Sequence, residues 1–334
     1  MKTVRYIALR VVLAGIVFLV SALIYQYWFY QSDLENEGWL RLKLERLKVS
    51  KQDILYLGAS PNASYAPNDS DQRSVMDMVM AGDRSLSVVC YDTGAIHAGF
   101  FLDALEWIRP EDLPKTVICE LNLRSFGPQW IESDLENSLQ RNKVYTNKTI
   151  PLWNRVRVSL KNYPWVSPGE RRHRINNHFR FDRLPFTGDR RTVFHWYRQL
   201  EQRYEGFPGI GGEYVKTFGF VIRENNVRLQ QYDAIVAFCK ANNIRLVFVL
   251  YSENVQEVEL TVGNELRSLM QRNVDFLLNR YNGKAETVDC FSLLSPDHWY
   301  EKEFVTEHYN AEGRQAIAAE LLKQLTWKSG KHSK

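Results

Sequence analysis

Cysteine is scarce in this chain, and its spacing carries no signal. Cys90, Cys119, Cys239 and Cys290 are the four cysteines in 334 residues, and no two form a CxxC pair. That removes the usual pattern of a structural zinc site or a thioredoxin-type redox site. Three of the four lie in apolar strand-like runs (SVVCY, VICEL, TVDCF), where cysteine behaves as a small buried hydrophobe. An even count outside the cytosol would permit disulfides, but strand-core cysteines seldom have the geometry to pair, so free thiols are expected. No metal-binding or cofactor motif is present. A net charge of +4, with no zinc-finger, RRM or basic-helix pattern, gives no reason to expect nucleic acid. Internal repeats are absent, as is low complexity beyond the basic tail Lys328 to Lys334. With 45% apolar and 25% charged residues the composition is that of a globular protein, long enough to bury a substantial core.

One long apolar run exists. Val11 to Tyr30 (VVLAGIVFLVSALIYQYWFY) has Gln26 as its only strongly polar member, and Lys2, Arg5 and Arg10 precede it. About 20 apolar residues match a bilayer core as a helix. Tyr25, Tyr27, Trp28 and Tyr30 crowd the far end, as in an interfacial aromatic belt, and the positive-inside rule then leaves everything after Tyr30 extracytoplasmic. A cleavable signal peptide competes, with Val20-Ser21-Ala22 as its small-residue site, but the run continues well past that point. Residues 31–52 are charged, with leucines at near-helical spacing, and read as a juxtamembrane helix or stalk.

An alternation of strands and helices follows. Strands are predicted at Asp53 to Leu57, Leu86 to Tyr91, Thr116 to Leu121, Arg245 to Tyr251 and Thr287 to Phe291. Helices are predicted near 97–107, 227–242, 264–281 and 311–325, the last with Asn310 as N-cap. Apolar strands separated by helices imply an α/β domain with a parallel sheet covered on both faces, and such sheets bind ligands at the carboxyl ends of their strands.

Two residues are placed there. Gly58 permits a tight turn after the first strand, Ser60 follows it, and Pro61 suits the first position of a helix. A serine at a helix N-terminus is exposed and backed by free N–H groups, as a nucleophile forming an oxyanion requires; a plain N-cap reads the same. His308 precedes the final helix, where it can reach such a serine and act as general base; a surface-loop histidine is the alternative.

Gly58-Ala59-Ser60 resembles the first block of the SGNH/GDSL hydrolases, and His308-Tyr309-Asn310-Ala311-Glu312-Gly313 resembles their last, from about Asp53 to Leu325 with one large insertion. The resemblance implies a flavodoxin-like three-layer fold and a serine esterase or acyl-transfer site without cofactor. It implies that Gly94, after strand two, and Asn122, after strand three, complete the oxyanion hole. It also implies an Asp three residues before the histidine, where this chain has Val305. Glu307 and Asp297 are the candidate substitutes; otherwise the site is a dyad or inactive.

The segment from Phe126 to Asn226 reads as irregular, aromatic and basic. Arg171, Arg172 and Arg174, with Trp196, suit stacking on sugar rings and binding of acidic polymer groups, though anionic headgroups or plain solvent would suit them equally. Membrane-tethered proteins of this layout resemble partners of membrane-bound O-acyltransferases, which implies a cell-surface polymer or acyl ester as substrate. An inactive scaffold or polymer-binding subunit is the alternative.

Overall fold

The computed structural model describes residues 2–131, 133–147, 149–162 and 210–329. In chain order the elements are α1 Lys2–Trp28, α2 Tyr30–Glu37, α3 Trp39–Arg46, β1 Ile54–Gly58, α4 Ser60–Ala63, α5 Val75–Gly82, β2 Val88–Asp92, α6 Ala98–Trp107 and β3 Thr116–Glu120. There follow α7 Pro128–Ile131, α8 Asp134–Thr146, α9 Pro151–Asn162, α10 Ile210–Phe218, α11 Val227–Ala241 and β4 Arg245–Leu250. The chain ends with α12 Val255–Thr261, α13 Asn264–Tyr281, β5 Glu286–Asp289 and α14 Ala311–Ser329.

The five strands form one sheet in the order β2-β1-β3-β4-β5, with every neighbouring pair parallel. This is the flavodoxin-like order of a doubly wound α/β fold. Side chains alternate between two buried faces, so the strands read as continuous apolar runs. Tyr56, Ile118, Val247 and Val249 meet Val75, Met76 and Val79 of α5 and Ile317 and Leu321 of α14. On the other face Phe248 packs edge-on against Tyr232 of α11 and against Tyr281 of α13. The four cysteines are free thiols, three buried and Cys90 half-buried, and burial raises the Cys119 thiol well above its ordinary range.

The chain divides into two compact units, Met1–Leu47 with Asp134–Pro168, and Lys48–Ser133 with Gly169–Lys334. The second carries the sheet. In the first, the segment expected to be a juxtamembrane helix or stalk forms α2 and α3, whose Leu34, Leu40 and Leu44 are buried. Leu34 joins Val144 and Tyr145 of α8 and Val158 of α9 in a small core of its own. Leu34 therefore serves packing within the unit. The segment expected to be irregular contains four helices among its described residues, α7, α8, α9 and α10, and an irregular stretch at 219–226. Among the described residues one helix, Val4–Trp28, is long and apolar enough to cross a membrane.

Candidate active site

β1 runs buried to Gly58, where a Cβ would overlap the ring of Tyr56. Tyr56 cannot yield, since it is fully buried and its hydroxyl lies 2.9 Å from that of Tyr251. The chain turns, and Ser60 opens the short helix α4 with Pro61 behind it. Asn62 fixes this turn. Its amide donates to Asp92 Oδ2 at 2.6 Å, at the end of β2, and its oxygen accepts from the backbone of Met76 at 3.0 Å.

His308 comes from the other end of the chain. Trp299 and Tyr309 form an antiparallel bridge, Tyr300 N–H donates to His308 O at 3.4 Å, and Trp299 Nε1 donates to Thr306 O at 3.0 Å. The intervening residues thus fold back as a small hairpin, with the Tyr300 ring stacked on the imidazole at 5.9 Å. Beyond it Asn310 caps α14, its side chain accepting from Gly313 N–H at 3.0 Å.

The hairpin brings three groups into line. Ser60 Oγ lies 3.1 Å from His308 Nε2, and His308 Nδ1 lies 2.6 Å from Glu301 Oε2. Thr306 Oγ1 donates to the same Glu301 oxygen at 3.2 Å, orienting the carboxylate. The imidazole is one-fifth exposed and the carboxylate one-third, so the row opens to solvent. Hydroxyl, imidazole and carboxylate in this sequence form a nucleophile, a base and a group that sets the base's tautomer.

The carboxylate at the imidazole is thus neither of the two taken from the sequence. Glu307 turns inward, buried, and accepts from Arg124 Nη2 at 2.6 Å. Successive residues in an extended hairpin strand point to opposite sides, so the neighbour of a site-facing histidine faces away. Asp297 is almost fully exposed, 3.8 Å from Lys302. Val305, where the family pattern has Asp, instead offers its backbone oxygen to Arg124 Nη1 at 2.5 Å. Glu301 lies seven positions before His308, and only a hairpin closed by the aromatic pairs at 299–300 and 308–309 makes them neighbours.

Asn122 stands just past β3. Its side-chain oxygen accepts from Ser125 N–H at 3.0 Å, and its amide donates to Glu120 Oε1 at 3.1 Å. Gly94 lies exposed in the turn after β2, beside Ala95 at φ 68°, a left-handed conformation that side chains seldom adopt. Arg171, Arg172, Arg174 and Trp196 lie outside the described residues.

Sequence reading passed over Glu120 as well. The last residue of β3 is fully buried, and its Oε2 accepts from the N–H of Ala59, beside the serine, at 2.5 Å. Burial raises its pKa to about 7 against the hydrogen bonds from Ala59 and Asn122, and the nearby Glu307 adds to the rise. Glu253, at the end of β4, is also buried and pushed up, first by desolvation and then by Glu307. Arg124 is the cation facing these three carboxyls, and its guanidinium sits 5.0 Å from the Trp130 ring. The signal available in the sequence was an acid ending a core strand, which is rarely buried without a partner. Among the described residues no group of His, Cys, Asp and Glu is arranged to hold a metal ion.

No family model matches the chain, and no curated protein matches it. Among solved structures it is similar to an acetylxylan esterase from Geobacillus stearothermophilus, at 11% identity over 83% of this chain and 95% of that one, with a TM-score of 0.39. It is also similar to a GDSL-like lipase from Bacteroides thetaiotaomicron, at 12% identity over 90% and 98%, with a TM-score of 0.36. A lipase/acylhydrolase from Enterococcus faecalis is similar at 7% identity over 83% and 96%, with a TM-score of 0.37. Similarity at this level carries none of the functional argument, which rests on the strand order and on the row of Ser60, His308 and Glu301.

Proposed function

We propose that the chain is a membrane-anchored, extracytoplasmic serine esterase or O-acyltransferase acting on a cell-surface polysaccharide or similar polymer. The observation that carries this reading is the unbroken row from Ser60 Oγ through His308 to Glu301, at 3.1 and 2.6 Å. Ser60 Oγ attacks the acyl carbonyl while His308 Nε2 takes its proton, and Glu301 stabilises the imidazolium. The oxyanion is received by the backbone N–H groups of Ser60 and Gly94 with the Asn122 amide. Collapse expels the first alcohol, which takes the proton back from His308. The acyl-serine then passes its acyl group to water or to a polymer hydroxyl, His308 again accepting and returning one proton. The scaffold alternative rests on Val305 in place of the family's acid and on the basic insertion; Glu301, 2.6 Å from the imidazole, favours the enzyme reading on the first point.

The envelope assignment rests on α1 with its basic N-terminal flank, and a membrane-bound O-acyltransferase is the partner that would supply acyl groups to such a site. Cells carrying Ser60→Ala in place of the wild-type chain test the reading. The acyl content of the surface polymer is expected to change, falling for a transferase and rising for an esterase. Unchanged acylation, with the variant folded and in the membrane, would replace the enzyme reading with the scaffold.

A further inference from the structure

The first unit contains an apolar helix face that its own core does not use. α9 buries Asn154 and Val158, Asn154 holding Asn147 O at 3.1 Å and Thr149 Oγ1 at 2.7 Å. On its other side Trp153, Val156 and Leu160 are exposed, at 49%, 37% and 69%. Their i, i+3, i+7 spacing gathers them within about 60° of arc on a helix turning 100° per residue. Ile150, just before the helix, is also exposed. A stripe of this kind is either covered by something or out of place in water.

Its position says what covers it. α9 packs directly on α1 within one unit. Arg155, in the middle of α9, pairs with Asp33 at 3.4 Å and Glu37 at 3.0 Å in α2, just beyond the end of α1. Tyr25, in the last turn of α1, donates to the same Asp33 at 2.5 Å. The polar face of α9 is thus pinned at the level where α1 would leave the bilayer, which is the headgroup layer. Exposed Tyr27, Trp28 and Phe29 mark that level on α1, and Trp153 adds another ring of the interfacial type.

We propose that α9 is an interfacial helix whose Trp153, Val156 and Leu160 lie in the headgroup–acyl boundary of the membrane that α1 crosses. The proposal rests on α1 being a membrane anchor. Lipid is favoured over a partner protein because the stripe and the apolar surface of α1 belong to neighbouring helices of one unit, and a bilayer would cover both. The anchor then holds its unit by two elements, one spanning and one lying flat, which fixes the orientation of the unit on the surface as a single span cannot.

Full-length chain in phosphatidylethanolamine–phosphatidylglycerol vesicles, with a single added cysteine carrying an environment-sensitive fluorophore, tests this. Trp153→Cys, Val156→Cys and Leu160→Cys are compared with Leu13→Cys in α1 and Asp275→Cys, an exposed position on α13. All are read above the background of the native cysteines. Probes on the stripe are expected to be quenched severalfold more by nitroxide at the lipid headgroup than the probe at 275, and severalfold less by aqueous iodide. Iodide quenching equal to that at 275 would show a stripe facing water, and protection from both quenchers would show one covered by protein; either overturns the proposal. If nitroxide placed on the lipid acyl chains fails to reach the probe at 13, the anchor itself is wrong and the proposal falls with it.

Discussion

Three carboxylates compete for the acid role, and their surroundings separate them. Glu301 meets the imidazole at 2.6 Å, Glu307 is spent on Arg124, and Asp297 stands in solvent. Glu301→Gln is expected to lower turnover about a thousandfold or more, by losing the charge that stabilises the imidazolium and the correct tautomer. Asp297→Asn should leave it unchanged. Steady-state kinetics on a chromogenic acyl ester would show the contrast, and equal losses in the two variants would contradict the assignment. Glu120 makes a separate claim through pH. Its pKa is raised from 4.5 to about 7 by burial, so the folded state holds a proton that the unfolded state releases. Stability from this group is fully present below pH 4.5 and is lost as pH rises through 7. The shift corresponds to about 3 kcal/mol across that window. Thermal unfolding of the wild-type chain should weaken between pH 5 and pH 8, and Glu120→Gln should flatten that slope.

At the scale of elements, the hairpin from Trp299 to Tyr309 and the turn after β3 are joined by Arg124, which holds both Val305 O and Glu307. Removing the guanidinium leaves Glu307 buried without its counter-charge, which costs about 3 kcal/mol or more. Arg124→Met is therefore expected to lower the melting temperature sharply, and Arg124→Met with Glu307→Gln to recover much of the loss. Additive losses in that double-mutant cycle would count against the bridge. The same elements show what sequence reading could reach. The central strands β1, β3 and β4 announced themselves as apolar runs because both of their faces are buried, and all five strands fall within a few residues of expectation. Ser60 and His308 were legible because each follows or precedes such an element directly. Glu301 was not, because its proximity to His308 comes from a backbone reversal set by aromatic pairing and not by a fixed spacing. The packing of α2 was illegible for a related reason. Leu34 looks like any residue of an amphipathic helix until α8 and α9, a hundred residues later, supply the surface it packs on.

For the whole molecule, the order β2-β1-β3-β4-β5 puts the carboxyl ends of β1, β2 and β3 side by side, and Ser60, Gly94 and Asn122 each follow one of these strands. The proposed nucleophile and oxyanion donors thus come from chain reversals far apart in sequence. The proposed topology adds a prediction at this scale. Protease added to sealed cells should cut near Arg171 from outside, and cleavage only after the membrane is opened would reverse the orientation. Activation of Ser60 as a nucleophile by His308 and Glu301 is read out by covalent labelling. The purified chain is treated with a fluorophosphonate and the adduct mapped by peptide mass, alongside Ser60→Ala, His308→Ala and Glu301→Gln. One adduct is expected, on Ser60, lost in Ser60→Ala and formed far more slowly in the other two variants. Failure of the folded wild-type chain to label, or labelling of Ser60→Ala at the wild-type rate, would contradict it.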